Sequence, residues 1–255
     1  MSMPFYVSPD QMMKDRAEFA RKGIARGRSA ITARYRDGIV FIAENPSHTL
    51  HKISEIHDRI GFAAVGRYHE FEALRVAGIR YADLRGYSYD PADVTARALA
   101  NSYAQLLGNA FSSGTEKPYE VELVVAQLGD RAEAAAGRPP ADGRAETGLT
   151  EGEDDRLYRI NFDGSVSDEG PLSVIGGNAT AVAAALRRQL DPTAPLEQVL
   201  RWAVPALRVG DDRKDQQDVD AAAVEVAVLD RARIPGRTFS RVQVAEIAAA
   251  LREDS

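Results

Sequence analysis

The chain has no cysteine among its 255 residues. That removes disulfides, a thiolate nucleophile and cysteine-ligated metal, and it is compatible with a reducing cytoplasm. Basic charge is not in excess either. The 32 Lys and Arg stand against 38 Asp and Glu, a net charge of -6, which gives no electrostatic case for nucleic acid. No apolar run approaches the roughly 20 residues that a membrane-crossing helix needs. The opening MSMPFYVSPDQ lacks the basic and apolar regions of a secretory signal. These absences lead us to expect a soluble, cytoplasmic chain, with residues 1–255 forming one large domain.

What is present concentrates in residues 28–66. Two apolar runs, Ala30–Tyr35 and Ile39–Glu44, flank Arg36-Asp37-Gly38. Asp-Gly between apolar runs predicts a tight hairpin whose central residues take positive φ. In the second run Ile39, Phe41 and Ala43 alternate with Val40 and Ile42, so both faces of that strand are apolar and both should be covered. A further run, Ile60–Gly66, is bounded by glycines.

In front of this segment, Ser8-Pro9-Asp10-Gln11 predicts a helix start, with Ser8 as cap, Pro9 in the first turn and Gln11 completing a capping box. Met13, Ala17, Ala20 and Ile24 recur on one face of a helix over 9–27, with Gly23 and Gly27 as candidate stops. Beyond Gly66, helix is predicted towards Gly86, and Asp90 is the expected cap of the next helix. Tyr119–Leu128 and Ala222–Leu229 predict strands, as does Thr238–Val242; Ala179–Leu190, Pro195–Val209 and Val244–Leu251 predict helices. Residues 130–155 lose large apolar side chains and gain Gly, Pro and acid, which predicts a long disordered surface loop whose acidic residues, including Asp154 and Asp155, are solvated. Strand groups thus alternate with helix pairs, the pattern of an α+β chain with antiparallel sheets between helical layers.

Tyr35–Ala43, then Lys52-Ile53, then Ile60–Gly66 resemble the opening sheet of a 20S proteasome subunit, and the helix in front of them resembles the α-type subunit in its actinobacterial form. The resemblance spans nearly the whole chain except 131–155. It implies a four-layer αββα sandwich, the fold of N-terminal-nucleophile hydrolases, with an extra N-terminal helix. It also implies a non-catalytic subunit of a seven-membered outer ring, partnered by a β subunit and by a hexameric regulatory ATPase, with no cofactor of its own.

A catalytic relative would start at a threonine whose free amine, with a nearby lysine, activates the hydroxyl. That threonine's place falls at Arg28, the acid's at Glu44 and the lysine's at Lys52. The nucleophile is missing, and the preceding helix denies the position a free amine. Thr32 lies mid-strand without an amine. The resemblance implies that Lys52 instead receives the C-terminal carboxylate of an activator, and that Gly66 lets the activator backbone approach. It implies that residues 1–8 (Ser2, Met3, Pro4, Phe5, Tyr6, Val7 and Ser8 after Met1) form a gate over the ring's pore, pivoting at Pro9. The plain alternative is a solvated lysine, a strand-ending glycine and a frayed terminus.

Two other functions stay open on sequence alone. Cleavage before Ser29 would expose a serine for a self-processed N-terminal-nucleophile hydrolase. His48, His51 and His57, near Glu44 and Asp58, could serve a metal-dependent hydrolase, although His48-x-x-His51 matches no established metal motif. Gly61-x-x-x-x-Gly66 lacks the Lys-Ser/Thr of a phosphate loop.

Overall fold

The computed structural model describes residues 8–47, 49–90, 93–113, 115–129, 155–210, 219–234 and 236–252. Its helices are α1 (Pro9–Ala25), α2 (Tyr68–Ser88), α3 (Ala96–Ser112), α4 (Ala179–Leu186), α5 (Leu196–Ala206) and α6 (Val244–Arg252). The strands are β1 (Ala30–Tyr35), β2 (Gly38–Glu44), β3 (Ile53–His57), β4 (Ile60–Gly66), β5 (Val121–Gln127), β6 (Arg156–Ile160), β7 (Val166–Glu169), β8 (Leu172–Ile175), β9 (Val224–Asp230) and β10 (Phe239–Arg241). They form two five-stranded sheets, ordered β10-β9-β2-β1-β8 and β3-β4-β5-β6-β7. Every pairing is antiparallel. The α+β class is therefore as expected.

Strand alternation distributes the core. On β2, Ile39, Phe41 and Ala43 pack with Ala63, Val65, Val124 and Leu157 of the other sheet. Val40 and Ile42 of the same strand pack with Val182, Leu186, Leu200, Val204 and Ile247 from α4, α5 and α6. The outer face of the second sheet, with Phe62, Ala64 and Leu123, meets Phe71, Leu74, Leu99 and Leu107 of α2 and α3. All of β2 is buried, as its two apolar faces require. Gly61 leaves the space that the Phe41 ring fills.

Several local expectations are corrected. The β1–β2 hairpin closes on the pair Tyr35–Gly38, so its loop residues are Arg36 and Asp37. Among the described residues no non-glycine has positive φ; within this hairpin only Gly38, at φ +152°, carries the unusual backbone, and the Asp-Gly turn geometry predicted above is absent. The Ser8 hydroxyl does accept from the Gln11 amide at 3.2 Å. The Gln11 side chain turns to Asp15 at 2.7 Å instead of back to the cap, so only half of the box forms. Gly23 does not stop α1. It lies within the helix where a Cβ would strike the Glu120 carboxylate. The helix after Asp90 starts later, at Ala96, where the Thr95 hydroxyl accepts from the Ala98 amide at 3.2 Å. The predicted helix 179–190 ends at Leu186, and Pro205 sits in the last turn of α5.

Residues 130–154 lie outside the described residues, but Asp155 does not, and it is not solvated. It is 1% exposed. Its carboxylate takes the Arg231 guanidinium through both oxygens, at 3.1 and 2.9 Å, and the Gly129 amide at 2.9 Å. The acid that closes this segment is therefore a buried clamp between the exit of β5, the start of β6 and the exit of β9.

Candidate functional site

Gly27-Arg28-Ser29 carries the chain from α1 into β1, and the pairing of Ala30 with Ala43 sets that segment beside Glu44 at the end of β2. A cleft of about 240 Å³ opens there, lined by Gly27, Arg28, Ser29, Glu44, Gly177 and Asn178 among others. The Glu44 side chain is 4% exposed; it accepts from Arg28 at 2.8 Å and forms an ion pair with Arg208 at 3.4 Å. A buried carboxylate with a guanidinium on either side is paired where water cannot reach it. The Ser29 hydroxyl is also committed: it donates to the Gly176 carbonyl at 3.1 Å and is buried.

The Lys52 ammonium reaches this corner. It donates to the carbonyls of Arg28 and Glu44, both at 3.0 Å. The lysine thus stands beside the position where a nucleophile would begin. Arg28 has no hydroxyl, and its amide follows Gly27 in a continuous chain, whose own amide closes α1 onto the Ile24 carbonyl at 2.9 Å. Amine-activated attack has neither of its two groups here.

Gly66 ends β4 next to the same segment; a Cβ on Gly27 would come within 3.7 Å of the Gly66 amide. Gly66 has its own backbone reason to be glycine. Its φ is +131°, and a Cβ would overlap the Glu120 carbonyl. Beside it, Arg67 donates to Glu120 at 2.6 Å, and Lys117 bridges Glu120 at 2.7 Å and Glu70 at 2.8 Å. Burial alone would raise the Glu120 pKa, but the hydrogen bonds from Lys117 and Arg67, with their charges, outweigh it and hold the carboxyl below its ordinary value. Lys117 is shifted up: burial opposes the shift and the bonds to Glu120 and Glu70 overcome it. This cluster seats α1, since Gly23 packs on Glu120 and the Phe19 ring lies 5.6 Å from the Lys117 ammonium.

The histidines do not converge. His48 is outside the described residues. His51 Nδ1 lies 3.2 Å from a Glu225 oxygen. His57 ends β3, a strand that puts about 13 Å between its first and last residues. Among the described residues no group of three His, Asp or Glu could hold a metal. Of the gate, Ser2 to Val7 lie outside the described residues, while Ser8 caps α1 and Pro9 occupies its first turn. Thr32 is buried mid-strand in β1. Among the described residues no helix is long and apolar enough to cross a membrane.

Sequence reasoning missed Arg208, Glu225 and Arg241. Glu225 accepts from the backbone amides of Lys52 at 3.0 Å and Ile53 at 3.3 Å, from Asn45 Nδ2 at 2.8 Å and from Arg241 at 2.6 Å. The available signal was a lone acid inside the apolar run Ala222–Leu229.

The family model described as "Proteasome subunit" matches residues 24–229. "Proteasome subunit alpha" of a Nocardioides species is 53% identical over 253 residues, 99% of this chain and 91% of that protein. The protein of that name from Acidothermus cellulolyticus is 51% identical over 255 residues, all of both chains. The one from Streptomyces scabiei is 50% identical over 254 residues, covering 100% of this chain and 94% of its own. Relatives this similar over this length, joined to a Lys52 that bonds the Arg28 carbonyl and to a position 28 without a hydroxyl, place the chain in the proteasome subunit family as a non-catalytic subunit of the α type.

Proposed function

We propose that this chain builds the outer ring of a 20S core particle, controls entry to it and docks a regulatory ATPase, while a β partner cuts peptide bonds. In this reading the three packed cores make up a four-layer αββα sandwich, seven copies close a ring in the cytoplasm, and residues 1–8 meet over its pore. The observation that carries the docking reading is the Lys52 ammonium, which donates to the carbonyls of Arg28 and Glu44, two residues that line the cleft. A terminal carboxylate is a fitting ligand for an ammonium, because a charged acceptor makes a stronger bond than a carbonyl. Docking opens the pore only if the activator binds the open arrangement more tightly than the closed one.

The test is co-expression with a threonine-starting β subunit. A barrel-sized particle should form and hydrolyse peptide, and a peptide with the ATPase's C-terminal sequence should stimulate it. Lys52→Ala should abolish stimulation and leave assembly intact. Stimulation that persists in Lys52→Ala refutes the docking role, and hydrolysis by the isolated uncut chain refutes the division of labour.

A further inference from the structure

We propose that Glu225 is a positioning residue for Lys52, fixing where the ammonium stands. Glu225 belongs to β9, on the face that looks towards the other sheet, opposite Ala43 of β2. Its side chain is 9% exposed. Lys52 lies just ahead of β3, one of the two outermost strands of the second sheet. On its inner side that segment is held by strand pairing, with the Lys52 carbonyl accepting from Ala64 at 3.0 Å. The amides of Lys52 and Ile53 point the other way, and the Glu225 carboxylate takes both, at 3.0 and 3.3 Å. One side chain of the first sheet therefore does what a neighbouring strand would do.

The same carboxylate grips the start of the β2–β3 connection. Asn45 Nδ2 donates to it at 2.8 Å and also to the Leu50 carbonyl at 2.7 Å. Arg241 pairs with Glu225 at 2.6 Å and donates to the Ile53 carbonyl at 2.8 Å, and His51 Nδ1 lies 3.2 Å away. Entry and exit of the connection are thus tied to one point, with Lys52 next to the knot. Amide bonds to a charged acceptor are among the stronger ones, and losing that acceptor leaves half-buried N–H groups unpaired. Without Glu225 the backbone of residue 52 is released, and the ammonium leaves the Arg28 and Glu44 carbonyls.

The inference rests on the docking reading for its functional consequence and not for its geometry, so two readouts separate them. In assembled particles, Glu225→Ala should raise both amide exchange at Lys52–Ile53 and acylation of the Lys52 amine, reacting through its deprotonated form, by about tenfold. Glu225→Gln, which keeps one acceptor, should fall between wild type and Glu225→Ala and serves if the alanine variant does not assemble. The concentration of ATPase C-terminal peptide giving half-maximal stimulation should rise by about tenfold in Glu225→Ala. In a Lys52→Ala background Glu225→Ala should add no further loss, since the two act as a unit. Unchanged exchange and acylation in particles carrying either Glu225 variant overturn the inference. Changed exchange and acylation, with stimulation indifferent to Lys52→Ala, uphold the positioning and refute the docking role.

Discussion

Removing the Asp155 carboxylate should be among the costliest single changes outside the apolar core. Asp155→Ala leaves the Arg231 guanidinium, whose side chain is 11% exposed, without the acceptor that takes it through both oxygens, and strands the Gly129 amide. Breaking a buried ion pair from one side costs about 3–5 kcal/mol because a charge stays behind uncompensated. For a chain of this size about 4 kcal/mol lowers Tm by about 8–16 °C. The assay is thermal unfolding of the purified chain followed by circular dichroism, with Arg231→Met and the double variant completing a cycle. Asp155→Ala made on Arg231→Met should cost at least about 2 kcal/mol less than on wild type, because no charge is then abandoned. A loss under about 1 kcal/mol for Asp155→Ala would refute the reasoning, since it would mean that the carboxylate is hydrated in solution.

Deleting residues 2–8 should raise unstimulated peptide hydrolysis by the assembled particle, measured with a fluorogenic peptide; no rise would mean that these residues are not the barrier. Gly66→Ala should destabilise the chain by at least about 2 kcal/mol in chemical denaturation, from left-handed backbone strain and overlap with the Glu120 carbonyl. Glu120 has a lowered pKa, so its contribution is present above the ordinary carboxylate value of 4.5 and is lost as pH falls through the folded value. Thermal stability should therefore fall more steeply on acidification below pH 4.5 in wild type than in Glu120→Gln, and equal slopes would remove the cluster from the acid response. Lys117 has the opposite sign: its contribution is complete below 10.5 and is lost above the folded value.

Features set by neighbours in the chain were legible in the sequence. Ser8-Pro9 marked the start of α1, and the double-faced apolar run of β2 announced a strand buried on both sides. Features set by distant partners were not. Asp90 and Thr95 can both cap a helix. The choice falls to Thr95, and the first residue of α3, Ala96, donates its amide to Gln127 of β5 at 2.9 Å. Asp155 sits in an acidic run that looks solvated until folding brings Arg231 beside it. Lys52 and Glu44 were legible as a pair from the resemblance, but Arg208 and Glu225, which hold the neighbourhood together, come from α5's exit and from β9. Gly23 looked like a stop because a helix usually ends at glycine; its reason is the carboxylate packed against it.

The outermost strands of both sheets are short: β8 and β7 have four residues each, β10 has three and β3 five. Along β3 the outward backbone groups of Ile53 are already engaged by Glu225 and Arg241. Short and occupied edges deny an incoming chain the ladder it would need to extend a sheet. Edge-to-edge strand pairing between copies is therefore disfavoured, which leaves helix faces and loops as the surfaces open to contact. A folded chain can accordingly stand at high local concentration without templating strand addition by its neighbours.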